Sequence, residues 1–73
     1  MEKIISVKPL NDYQLQIVFD NNSERICDIR PFLDKGAFTE LKDVQLFNRV
    51  RSTGYSVEWP NELDLSSDTL QRI

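Results

Sequence analysis

Apolar and polar residues alternate most clearly from Tyr13 to Phe19. Tyr13, Leu15, Ile17 and Phe19 fall on one side, and Gln14, Gln16 and Val18 on the other. A period of two marks a strand with one face buried. Asp20 to Ser23 (DNNS) is turn chemistry, because Asn and Asp tolerate left-handed backbone and bond their own main chain. Glu24 to Ile29 (ERICDI) then returns as the partner strand, so Tyr13 to Ile29 is expected to form a β-hairpin. Ile4 to Val7 is a further β-prone run, read as ending at Pro9, and Asn11-Asp12 is the expected turn between them. Together these predict a three-stranded antiparallel meander.

The pattern changes at Pro31, which can open a short helical turn that Gly36 ends. Asp43 suits a helix N-cap. Val44, Phe47 and Val50, with Leu46, then form an apolar stripe on a two-turn helix. Arg49 and Arg51 fall in its last turn, where cations complement the helix dipole, and Gly54 stops it. Tyr55, Val57 and Trp59 alternate again and predict a fourth strand, broken by Pro60. Ser66 or Ser67 can cap a short C-terminal helix, with Asp68 in its first turn and Leu70 and Ile73 on one side. A helix of two turns is unstable alone, so it must dock. The order β-β-β-(short helix)-α-β-α predicts an α+β fold: a three-stranded antiparallel meander, short helices, a fourth strand and a C-terminal short helix, with the helices on one face of the sheet.

The length of 73 residues fits a single domain spanning 1–73. A chain of this size buries only about 60–65% of its unfolded surface, so its stability margin is thin and a partner or second copy is an expected support. One cysteine allows no internal disulfide, and with no histidine there are too few soft ligands for a structural zinc site. Hydrophobic residues at 40% and charged residues at 29% fit a folded globular chain. The start, MEKIISVKPL, has no apolar signal region, and no apolar run approaches the roughly 20 residues that span a bilayer. A cytoplasmic location with no membrane partner is therefore expected. The net charge of −3 does not favour a general polyanion binder, and no direct nucleic-acid partner is expected.

The available chemistry is narrow. Without histidine, Ser-His-Asp and Cys-His sites cannot form. Cys27 lies within a predicted strand and reads as a buried structural thiol. The two glycines, Gly36 and Gly54, are too far apart for a phosphate loop. Glu58, Glu62, Asp64 and Asp68 cluster in sequence, but their spacing matches no calcium loop and reads as a solvated acidic rim. No metal, cofactor or catalytic residue is expected, and no catalysis by the chain itself. Arg30, between the third strand and Pro31, can fork onto a carboxylate or meet a partner. Trp59-Pro60-Asn61 reads mainly as a structural corner: Trp59 closes the strand into the core, Pro60-Asn61 turns the chain, and Asp64 bonds that turn. The candidate partner contacts are Arg30, Trp59, Asn61 and Asp64.

One ordered set of residues covers almost the whole chain: Pro9-Leu10, Asp12-Tyr13, Leu15, Phe19, Asp28, Arg30-Pro31, Leu33, Gly36, Phe38, Leu41, Asp43, Phe47, Trp59-Pro60-Asn61, Asp64-Leu65 and Leu70. In this the sequence resembles the bacterial domain-of-unknown-function family numbered 2442, as a small stand-alone member. It departs from the family pattern at Asn21-Asn22-Ser23 and at Glu62, where many relatives carry glycine. The resemblance implies a small α+β domain and no transferable reaction. Some relatives carry the domain ahead of a helix-turn-helix module; others resemble partners in toxin–antitoxin-like pairs. The expected function is a small cytoplasmic protein-interaction module, in the finer reading the antitoxin-like partner of a bacterial two-protein system. The alternative is a small-ligand-sensing or regulatory domain related to DNA-linked regulators, with the Trp59-Pro60-Asn61 corner and Arg30 lining a pocket. A homodimer is also expected, because an exposed sheet edge invites pairing.

Overall fold

The alternation in Tyr13–Phe19 builds the middle strand of a three-stranded antiparallel sheet. The computed structural model describes residues 2–73; Met1, part of the single domain expected from the sequence, lies outside the described residues. Strands β1 (Ile4–Leu10), β2 (Gln14–Phe19) and β3 (Glu24–Asp28) lie in that order. Leu15, Ile17, Phe19 and Cys27 point inward and are buried, while Gln14, Gln16 and Val18 line the outer face. The β2–β3 turn follows its chemistry: Asn21 Oδ1 accepts from the Ser23 N–H at 3.0 Å, and Asn22 sits at φ 68°.

Pro9 does not end β1, as the sequence suggested, but lies inside it opposite Leu15. The bonds from Phe19 N to Ser23 O and from Ile29 N to Tyr13 O show that odd-numbered residues of β2 bond to β3. Pro9 pairs with an odd residue, so its nitrogen faces away from β2 and no ladder bond is lost. A strand at a sheet edge accommodates proline in this position.

The remaining residues cover the inner face. Arg30–Phe32 forms a 3-10 turn with Pro31 in its first positions. Gly36 does not end this turn but starts a second 3-10 segment, Gly36–Lys42. Asp43 caps α1 (Val44–Phe47) as expected, its side chain accepting from the Gln45 N–H at 3.0 Å. The helix is one turn long rather than two. Phe47 is buried, Leu46 and Val50 are half-buried, and Val44 stays exposed. Neither Arg49 nor Arg51 is therefore in a helical last turn: Arg49 lies in the turn after α1, and Arg51 belongs to strand β4 (Arg51–Ser52) and pairs with Glu58 at 2.8 Å. Gly54, rather than stopping a helix, makes the turn between β4 and β5 (Ser56–Glu58) at φ 108°, a region only glycine adopts freely.

Strand β5 is the centre of a second three-stranded antiparallel sheet, β4-β5-β6, with β6 at Asp64–Ser66. The sequence pattern shows only β5. Val57 and Trp59 are buried as expected, but Tyr55 precedes the strand and is exposed. Helix α2 (Ser67–Arg72) is capped by Ser66, whose side chain accepts from the Thr69 N–H. Leu70 is buried, whereas Ile73 falls after the helix and is 37% exposed. Ser67 is the one buried polar residue among those described, donating its hydroxyl to the Glu2 carbonyl at 2.6 Å. The chain is thus an α+β fold with a single core between the first sheet and the layer formed by the second sheet and the short helices.

Two substitutions test this arrangement. Trp59→Phe keeps much of the packing but leaves the buried Phe47 carbonyl without its indole donor. It should lower stability by roughly 1–3 kcal/mol in denaturant unfolding. Glu62, at φ 71°, holds a left-handed conformation that strains a residue with a Cβ. Glu62→Gly should raise stability by roughly 0.5–1 kcal/mol, the relief of strain exceeding glycine's entropy cost.

Candidate functional site

The Asn11-Asp12 turn is tighter than a simple connection. Residues Asn11–Tyr13 form a 3-10 turn in which both Asp12 (φ 63°) and Tyr13 (φ 59°) are left-handed. Consecutive left-handed residues with side chains are costly, and such strain persists only where the surroundings enforce it. Here Tyr13 is fixed from three sides. Its hydroxyl donates to the Lys42 carbonyl, its ring meets Phe47 edge-on at 5.3 Å, and its own carbonyl accepts from the Ile29 N–H.

This corner and α1 form the walls of a half-open groove of about 630 Å³. Pro9, Leu10, Asn11, Asp12 and Tyr13 line it from the corner, and Val44, Phe47 and Asn48 from α1 and the residue after it. Asp12 is its only carboxylate and Val44 its most exposed apolar side chain. A smaller groove of about 290 Å³ lies between Glu2, Phe19, Ser23, Glu24, Arg25 and Gln71.

The structure separates the four residues singled out from the sequence. Arg30 is exposed and held by Asp28: its Nε and Nη2 donate to the two carboxylate oxygens, at 3.0 and 2.9 Å. Asp28 also accepts from the Arg30 backbone N–H at 3.0 Å, so one carboxylate both starts the 3-10 turn and fixes the guanidinium. These hydrogen bonds, side chain first, hold the Asp28 carboxyl below its ordinary range. They raise Arg30 further, with a smaller contribution from the charge of Asp12.

Trp59 is fully buried and has no surface for a partner. Its indole N–H donates to the Phe47 carbonyl at 3.0 Å, which places it behind the main groove. Asn61 turns the corner: its Oδ1 accepts from the Leu63 N–H and its amide donates to Glu40. Asp64 is exposed in β6 and, among the described residues, does not bond the turn as expected; Asn61 takes that role. The Trp59-Pro60-Asn61 corner and Arg30 line neither of these two grooves. Sequence reasoning missed Val44 and Asn48 because it assigned Val44 to a buried stripe. The Asp12-Tyr13 pair was the available signal, since an Asn-Asp turn tolerates left-handed backbone.

Cys27 is buried and donates its thiol to the Leu70 carbonyl; burial pushes the thiol up and away from reactive thiolate. Among the described residues no three acidic, histidine or cysteine side chains gather as a metal site. No helix there is long and apolar enough to cross a membrane.

The Asp28–Arg30 fork predicts a pH dependence. A depressed carboxylate contributes its full stabilisation above the ordinary pKa of about 3.9 and loses it as pH falls toward the folded value. Thermal unfolding of the protein and of Asp28→Asn should therefore differ at pH 6 and converge as the pH falls through the depressed folded value. The difference should be small and shrink with salt, because the pair is exposed.

No curated protein and no solved structure matches the chain. The family profile described as "Protein of unknown function (DUF2442)" matches residues 4–73. That match takes in both sheets, the strained Asp12-Tyr13 corner and the Trp59-Pro60-Asn61 turn, and the chain belongs to this family.

Proposed function

We propose that the chain is a non-catalytic protein-interaction module of the cytoplasm, and that its partner inserts an apolar side chain into the groove between the Pro9–Tyr13 corner and α1. One observation carries this reading: a strained pair, Asp12 and Tyr13, is held by a dedicated hydrogen bond and ring contact to form the wall of an open groove. Backbone strain of this kind concentrates at binding and switch sites. The lining favours binding over turnover. Asp12 is the only carboxylate in it, and the Tyr13 hydroxyl is already committed to Lys42. The groove therefore offers no paired acid and base among the described residues. In the finer reading the partner is the other member of a two-protein pair of toxin–antitoxin type.

The groove's volume also supports a second reading. At about 630 Å³ it falls in the range of small-molecule sites, roughly 300–1,000 Å³. A ligand-sensing or regulatory domain would use the same walls.

Co-purification from cells expressing the chain at native level, against Val44→Asp, separates these readings. Val44 is exposed, so the variant should fold with little change in melting temperature. The interaction module predicts one stoichiometric protein partner, lost with Val44→Asp. If the chain returns alone while a metabolite raises its melting temperature, the sensing domain replaces it.

A further inference from the structure

The two outer edges of the first sheet differ. On β1, Pro9 removes a donor, a bulge shifts the register between Ile4 and Ser6, and the second sheet covers one end. There the Ile4 N–H donates to the Gly54 carbonyl at 2.6 Å, and the Ser52 hydroxyl donates to the Ile4 carbonyl. Proline, bulges and covering segments are the devices that prevent edge-to-edge pairing. Strand β3 has no proline, bulge or covering strand among the described residues; its only protection is its shortness and its charged side chains, Glu24, Arg25 and Asp28. Its residues are Glu24-Arg25-Ile26-Cys27-Asp28, with a regular register against β2 and no strand on its other side among the described residues.

The hydrogen bonds at its two ends fix which groups are open. Ser23 and Ile29 bond to β2, so Arg25 and Cys27 do as well. The N–H and C=O groups of Glu24, Ile26 and Asp28 therefore point outward. Their side chains share the solvent face of the sheet, and Ile26 at the centre is 53% exposed.

We infer that β3 pairs antiparallel with β3 of a second copy across a two-fold axis at Ile26, giving one continuous six-stranded sheet. In this register Ile26 lies opposite its own copy, and Glu24 lies opposite Asp28 of the second chain. Like charges directly opposite would oppose pairing. The fork removes that objection. Asp28 is already neutralised by Nε and Nη2 of Arg30, and the third nitrogen, Nη1, has no partner among the described residues on a side chain 58% exposed. Each Arg30 can then meet Glu24 of the second copy, so the edge is complementary to itself in charge as well as in backbone hydrogen bonding. An interface one strand wide belongs to the small, reversible class, so the dimer depends on concentration.

Sedimentation equilibrium of the intact chain over a range of concentrations tests this, with circular dichroism to confirm folding. The wild type should pass from monomer to dimer. Ile26→Pro removes an N–H that the β2–β3 ladder does not use, and should leave a folded monomer. Ile26→Lys provides the same readout should the proline variant lose its fold. Arg30→Glu should weaken the dimer by about tenfold, since the axis repeats the repulsion twice, and adding Glu24→Arg should restore it. A monomer at every concentration overturns the inference, as does a dimer indifferent to Ile26→Lys and Arg30→Glu.

Discussion

Trp59 donates its indole N–H to the Phe47 carbonyl at 3.0 Å, its ring packs 6.1 Å from the Phe47 ring, and none of it meets solvent. Phe47 in turn meets the edge of Tyr13, whose hydroxyl reaches Lys42. This series joins the end of β5, the single turn of α1 and the strained corner of the first sheet. The sheets are otherwise small, and β4 has only two residues. Large aromatic surfaces supply much of the burial that a core of this size can offer, and a satisfied indole N–H fixes their relative orientation. The left-handed Asp12 and Tyr13 depend on the same contacts, so the groove wall rests on Trp59, although Trp59 does not touch the groove.

A second tie acts at the other end of the molecule. Ser67 donates its hydroxyl to the Glu2 carbonyl, accepts from the Gln71 amide, and its N–H bonds to Tyr55. It thereby joins the start of the chain, the β4–β5 region and α2. Arg25 adds a bond to the Ile73 carbonyl, and Cys27 one to Leu70. These bonds hold a six-residue helix against the first sheet, the docking that a helix of this length needs.

Legibility from sequence tracked the length of each element. The β2–β3 hairpin, the Asp43 cap and the α+β class follow from periods and caps that several residues express together. Strands β4 and β6, of two and three residues, are too short to express a period, and their pairing is set by β5 between them. Pro9 misled because a proline's meaning depends on which way its nitrogen faces, a property of register rather than composition. Ser66 and Ser67 are equivalent as caps in sequence; only burial separates the half-buried cap from the buried tie. The groove was illegible for a similar reason. It arises where a strained turn meets a helix shortened to one turn, and neither feature appears in a hydropathy pattern.

Two turns place residues with a Cβ in the left-handed region, Asn22 at φ 68° and Glu62 at φ 71°. At Asn22 the cost is small, because asparagine tolerates this conformation and the Asn21 side chain supports the same turn. Glu62 has no such compensation, yet its turn closes through Glu62 N–H to Trp59 O and Trp59 N–H to Leu63 O, at 3.0 and 2.9 Å. The turn is set by what flanks it: a buried tryptophan on one side and β6 on the other require the chain to reverse there whichever residue occupies the position. Asp12 and Tyr13 obey the same logic from the opposite direction. There Tyr13 is held through its own side chain, by the Lys42 carbonyl and the Phe47 ring, so the side chain, and not glycine's freedom, is what that corner uses. A turn that only reversed the chain would be served by glycine; a turn that keeps a tyrosine in a strained conformation holds its ring in a particular place, and that place is the wall of the groove.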